Sequence, residues 1–227
     1  MFDTTLTRVT VEFASTVICI VLVKFMIKPY QLTKESRYLG LPLGFGFLGT
    51  SFTISAIVYF LKSNTYYMDL LWFQSLMLAF AFVFLAATYH FSKELSQNSR
   101  FLSEITFGLL IAVFVALFAI VFATPLLAPQ FYRESQTYIR IFNMIFLSYI
   151  AAHTLRSHID NPDPTTIWIP LGFILLAISQ YSSIFWYTDL SLAAFFGEMA
   201  VRTAGLSLFL FVSYRTFYSS GKLRKEV

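Results

Sequence analysis

The sequence predicts an all-α integral membrane protein, a bundle of seven transmembrane helices with its N-terminus outside and its C-terminus inside. Three observations carry that expectation. First, 57% of the 227 residues are hydrophobic and 12% charged, where soluble domains carry about 25% charged residues. Forty-three aromatic residues, 27 of them Phe, exceed what a soluble core of this size could hide from water. Second, seven apolar stretches reach the roughly 20 residues that a spanning helix needs. Third, Lys and Arg divide unevenly between alternate loops. One side holds Lys28, Lys34, Arg37, Lys93, Arg100, Arg156, Arg215, Lys222, Arg224 and Lys225; the other holds Arg8, Lys62 and Arg133. By the positive-inside rule the richer side is cytoplasmic.

The spans centre near Val17, Thr50, Leu78, Val113, Phe146, Ile174 and Ser207. Continuous apolar runs such as 109–123 exclude the alternating strands of a membrane barrel. The first span is expected to persist as a helix, because Asp3 and Glu12 spoil the basic start of a cleavable leader. Lys28-Pro29 is expected to end it. Pro42 and Pro170 fall near the starts of the second and sixth helices, where proline is tolerated. Thr124-Pro125 and Ala128-Pro129 are expected to close the fourth, and Asn161-Pro162-Asp163-Pro164 to turn the chain after the fifth. Tyr66, Tyr67, Trp186 and Tyr187 mark one interface, Tyr38 and Trp168 the other. The pI near 9.1 then reflects insertion bias and contact with anionic lipid rather than nucleic-acid binding. The whole chain, 1–227, reads as a single membrane domain.

An internal repeat runs at an offset of 128 residues. Between Pro42 and Tyr59, eight of 18 positions are identical to those from Pro170 to Tyr187, including Pro-Leu-Gly-Phe at both starts. The same offset aligns Glu12 with Arg140 and Gln74 with Arg202. Helices 1–3 (about 9–91) and helices 5–7 (about 136–218) then form two parallel copies, with helix 4 (about 101–124) as linker. This three-plus-one-plus-three plan resembles that of the sugar-transporting SWEET proteins. A retinal pigment is excluded, since the last helix from Leu190 to Phe217 lacks the lysine for a Schiff base.

Polar residues within spans are costly and mark the bundle interior. Glu198 and Arg202 are four apart on helix 7, spaced for an ion pair on one face. Arg202 near the midplane is expected to reach Gln74 or a polar side chain of helix 6 as well. Arg140 and Asn143 of helix 5, with Ser179, Gln180 and Ser183 of helix 6, complete a predicted polar cluster in the outer half, suited to a small polar or anionic ligand. Glu12 is placed near the outer interface. Helix 4 is nearly all apolar and expected to face lipid.

No phosphate loop, His-Glu-x-x-His or Gly-x-Ser-x-Gly pattern occurs, so an enzyme is not expected. The lone Cys19 forms no intramolecular disulfide, and His90, His153 and His158 fall at the inner edge, poorly spaced for metal or haem. No cofactor is expected. The readings that remain are a non-enzymatic sensor-like or ligand-binding bundle, a small-solute transporter, and an accessory subunit of a larger membrane complex. The partners expected are the lipid bilayer, other membrane subunits or a cytoplasmic signalling protein, and the location is the cell membrane.

Overall fold

The computed structural model describes residues 4–33, 35, 38–61, 67–92, 97–123, 129–160, 162–164 and 166–216, and these are helical apart from short connections. Seven helices follow in order: α1 (Thr4–Thr33), α2 (Gly40–Leu61), α3 (Tyr67–Phe91), α4 (Gln97–Ala123), α5 (Pro129–Asp160), α6 (Trp168–Asp189) and α7 (Leu192–Tyr214). Six of them, all but α5, are long and apolar enough to cross a membrane on their own composition. Most loop cations behind the orientation reading (Lys34, Arg37, Lys62, Lys93, Lys222, Arg224 and Lys225), and Tyr66, lie outside the described residues.

The exception, α5, has a physical reason. Its buried residues Gln136, Arg140, Asn143, Leu147, Ile150 and Thr154 recur at alternating steps of four and three, the spacing of one helix face. That face is polar over its first half and apolar over its second. Polar groups turned toward the other helices lower the mean hydropathy without exposing charge to lipid.

Packing follows chain order within each triplet, α1 on α2 on α3 and α5 on α6 on α7, and the triplets meet at α3/α5 and α1/α7. Six helices thus close a ring. The fourth stands outside it against α3, joined by aromatic contacts of Phe107 with Phe84 and of Phe114 with Phe47 and Phe80. Only 6% of the apolar stretch of α4 is buried. Two apolar clefts of about 470 and 590 Å³, sharing Val83, Leu110 and Phe146, separate α4 from α5 along α3.

The apolar core fills the half of the ring away from the N-terminus, around Leu22, Phe45, Leu85, Leu147, Phe173 and Leu206. Aligned positions of the repeat share burial: Phe45 with Phe173, Leu48 with Leu176, Ser51 with Ser179, and Ser55 with Ser183. Glycine lets backbones approach at a few of these contacts. A Cβ on Gly205 would stand 3.1 Å from the Gly172 carbonyl oxygen, and one on Gly44 would meet Leu85 at 2.6 Å.

Two proline expectations need correction. Pro29 lies inside α1, which continues one more turn to Thr33. So close to the end, one missing amide costs a single helical bond, and the Thr33 hydroxyl donates to the Pro29 carbonyl at 2.9 Å. Pro129 belongs to α5, as its first described residue, where its missing N–H has no intrahelical partner to lose; Thr124, Pro125 and Ala128 lie outside the described residues. Pro42 and Pro170 each occupy the third position of their helix, as expected.

Because the α6–α7 backbones meet at Gly205, Gly205→Ala should cost about 1–3 kcal/mol, the range for overpacking. Gly108→Ala, with nothing within 4 Å of the added methyl, should leave the melting temperature unchanged or raised, since Ala favours helix over Gly. Thermal unfolding of both variants in one detergent checks this.

Candidate ligand-binding site

At the end of the ring where α1, α3, α5 and α7 begin, polar side chains turn inward from all six ring helices. Helix α7 contributes Glu198 and Arg202, both buried. They sit one turn apart, so their side chains meet, with Arg202 Nη1 donating to Glu198 Oε1 at 3.4 Å. The other arm of the guanidinium reaches α1, where Nη2 lies 3.1 Å from Glu12 Oε1. Phe52 of α2 faces the Arg202 guanidinium at 4.6 Å. One arginine therefore ties three helices.

Glu12 is also approached by Arg8, whose Nε lies 3.8 Å from Oε1. The Arg8 guanidinium stacks 4.0 Å over the Tyr59 ring and 5.6 Å from that of Phe195. Arg8, Glu12, Glu198 and Arg202 make a balanced quartet across α1 and α7. Each is 5% exposed or less, so none reaches toward water. An Arg near the bilayer centre costs about 2.5–3.5 kcal/mol on insertion scales unless it finds partners; here each carboxylate neutralises one arginine.

A second group lies across the ring on α5 and α6. Gln180 Oε1 accepts from Arg140 Nη1 at 2.8 Å and from Asn143 Nδ2 at 3.3 Å. The Tyr187 ring faces the Arg140 guanidinium at 5.8 Å. Electrostatics link the two groups, since Glu198 feels Arg202, Arg8 and Arg140 together, and Ser183 Oγ approaches its carboxylate without hydrogen-bonding geometry. The α3 side closes the belt. The Gln136 amide donates to Ser75 Oγ, and Ser51 Oγ donates to the Gln74 carbonyl oxygen at 3.0 Å.

The structure places Arg202 and Ser183 beside Glu198 and Arg140 and Asn143 on Gln180, and it places other residues differently from expectation. Arg202 pairs with Glu12, not with Gln74 or α6, because its face of α7 looks across the α1 seam. Gln74 is buried but meets Ser51 through its backbone. Ser179 donates to the Leu176 carbonyl oxygen of its own helix at 2.8 Å, a local bond that needs no ligand. Glu12, expected near the interface, is 1% exposed. Arg8, counted as a loop cation, lies inside the bundle. Sequence spacing held the clue, for Arg8 and Glu12 are four apart, as Glu198 and Arg202 are.

The histidines sit at the opposite end. His153 and His158 line a polar pocket of about 220 Å³ with Tyr89, Ser92 and Thr166, and His158 Nδ1 lies 2.7 Å from Thr166 Oγ1. Among the described residues no three metal-ligating side chains converge. No protein-family model, curated protein or solved structure matches this chain.

Because Arg202 serves two carboxylates, Arg202→Ala should cost about 3–5 kcal/mol, the range for breaking a buried pair. Glu198→Gln should cost less, since Glu12 still pairs with the arginine. The double variant Arg202→Met/Glu198→Gln leaves Arg8 with Glu12 and should recover part of the Arg202→Ala loss. Thermal melts that rank the two single variants the other way would contradict the shared pairing.

Proposed function

We propose that this chain is a non-enzymatic, sensor-like membrane bundle of the cell membrane, and that the polar belt is where it binds a small polar ligand. The observation that carries the reading is the belt itself. Side chains from all six ring helices turn into one end of the ring, and several buried polar atoms there, among them Arg140 Nε, Asn143 Oδ1, Arg202 Nε and Glu12 Oε2, make no hydrogen bond to another protein atom. A purely structural network would be expected to satisfy such groups, each costing about 1–3 kcal/mol when left unmade. With the N-terminus outside, the belt lies in the outer half and the basic loops in the inner.

Coupling between them would run along rigid helices. A ligand that draws α5 and α6 toward α7 and α1 shifts the seams at α3/α5 and α1/α7, the main seams between the triplets. A cytoplasmic partner reading the inner helix ends would receive that shift. The same two seams favour a second reading, a small-solute transporter in which two parallel repeats rock about a central site.

Spin-label distances distinguish these readings. With Cys19 replaced by Ala, labels at Arg156→Cys and Tyr214→Cys report on the inner ends of α5 and α7. The sensor reading expects the distance distribution to shift when small polar solutes are added, without solute uptake into proteoliposomes. Uptake favours the transporter. A distribution unmoved by every solute tested, with no uptake, overturns both.

A further inference from the structure

Among the described residues, the buried ionised side chains are Arg8, Glu12, Arg140, Glu198 and Arg202. Three guanidiniums stand against two carboxylates, so one positive charge inside the bundle has no counter-charge. The surplus can be located. Arg202 lies within 3.4 Å of both acids, and Arg8 approaches Glu12 at 3.8 Å. For Arg140, no carboxylate among the described residues comes within ion-pairing distance. Its close contacts are neutral, the Gln180 amide oxygen and Tyr187 through both its ring and its hydroxyl, and Glu198 acts on it only at longer range.

Other buried polar atoms of the belt lack a protein partner as well. Arg140 Nε is buried without a hydrogen bond, as are Asn143 Oδ1 and Ser183 Oγ. Tyr132 Oη, close enough for electrostatic contact with Arg140, approaches Ser75 but makes no bond of good geometry. With Nη1 committed to Gln180, the Nε edge of the fork is the one available to a ligand. The Ser183 and Tyr132 hydroxyls can turn to donate, whereas Asn143 Oδ1 can only accept.

We infer that the ligand of the polar belt is a small monovalent anion, of carboxylate or halide size, seated on the Nε edge of Arg140 between α5 and α6. This rests on reading the belt as a binding site and assigns its chemistry. One negative charge brings the buried total from plus one to zero, whereas a dianion would carry it to minus one in a medium that penalises either excess. A guanidinium edge meets a carboxylate through two parallel hydrogen bonds, and a halide as a point charge. Hydroxyls of Tyr132 and Ser183 would supply the remaining donors. Arg202, already held between two carboxylates, is a scaffold for the site rather than its anion contact.

The full-length protein in nanodiscs tests this by thermal unfolding during titration with sodium acetate, sodium chloride or sodium sulfate, wild type beside Arg140→Gln. The expected result is a saturable rise with acetate or chloride, roughly 5 °C at a hundredfold excess over Kd, present in wild type and absent from the variant. Sulfate should shift both proteins alike. If Arg140→Gln does not fold, Asn143→Asp serves instead, since it supplies the missing negative charge internally and should abolish the dependence on added anion. Equal responses of wild type and variant to all three salts overturn the inference, as does a wild type that responds only to sulfate. The spin-label distances keep the two proposals apart. A shift produced by neutral solutes alone defeats the anion and leaves the sensor. Saturable anion stabilisation with no shift establishes the anion and defeats the sensor.

Discussion

The structure depends on how charge is neutralised inside the ring. Arg202 cannot face lipid cheaply, so α7 must turn it inward, and its two carboxylate partners come from its own helix and from α1. That requirement fixes the rotation of α7 and draws the first helix of the chain against the last, closing the ring at α1/α7. Hydrophobic packing has little power to choose among neighbours where lipid is as apolar as leucine. Here paired charges and close-fitting glycines make the choice, the former at one end of the bundle and the latter along α2, α6 and α7.

The two halves of the ring consequently hold together by different means. Around Phe45, Phe82, Phe173 and Phe209 the packing is dense and aromatic, with Phe209 contacting both Phe45 and Phe173. Toward the N-terminus, long polar side chains bridge the helices through ion pairs and incompletely satisfied hydrogen bonds. Interdigitated rings pack at the density of an organic crystal, whereas the polar half leaves several buried polar atoms without a protein partner.

Much of this was legible in the chain. Six of the seven helices follow from apolar run length, and the Glu198–Arg202 pair follows from the four-residue step, both local properties. The inward face of α5 is equally visible once its period is followed through Gln136, Arg140, Asn143 and Leu147. Glu12 as the partner of Arg202 was not legible, because 190 residues separate them and only ring closure brings them together. Proline misled twice. At Pro29 and Pro129 its effect depends on whether a helix has one turn left to run or is just beginning, and sequence fixes boundaries least well.

The placement of α4 has a consequence for how the chain enters the bilayer. Standing outside the ring and touching chiefly α3, it adds little to the core, yet it restores parity. Each crossing reverses the chain, so an odd number must separate α3 from α5 for α5 to begin at the same end as α1. Without that extra crossing the second triplet would be inverted, carrying Arg140 and Arg202 to the end opposite Glu12. The fourth helix is thus a topological spacer, and the pairing of Arg202 with Glu12 depends on its presence although α4 packs chiefly on α3.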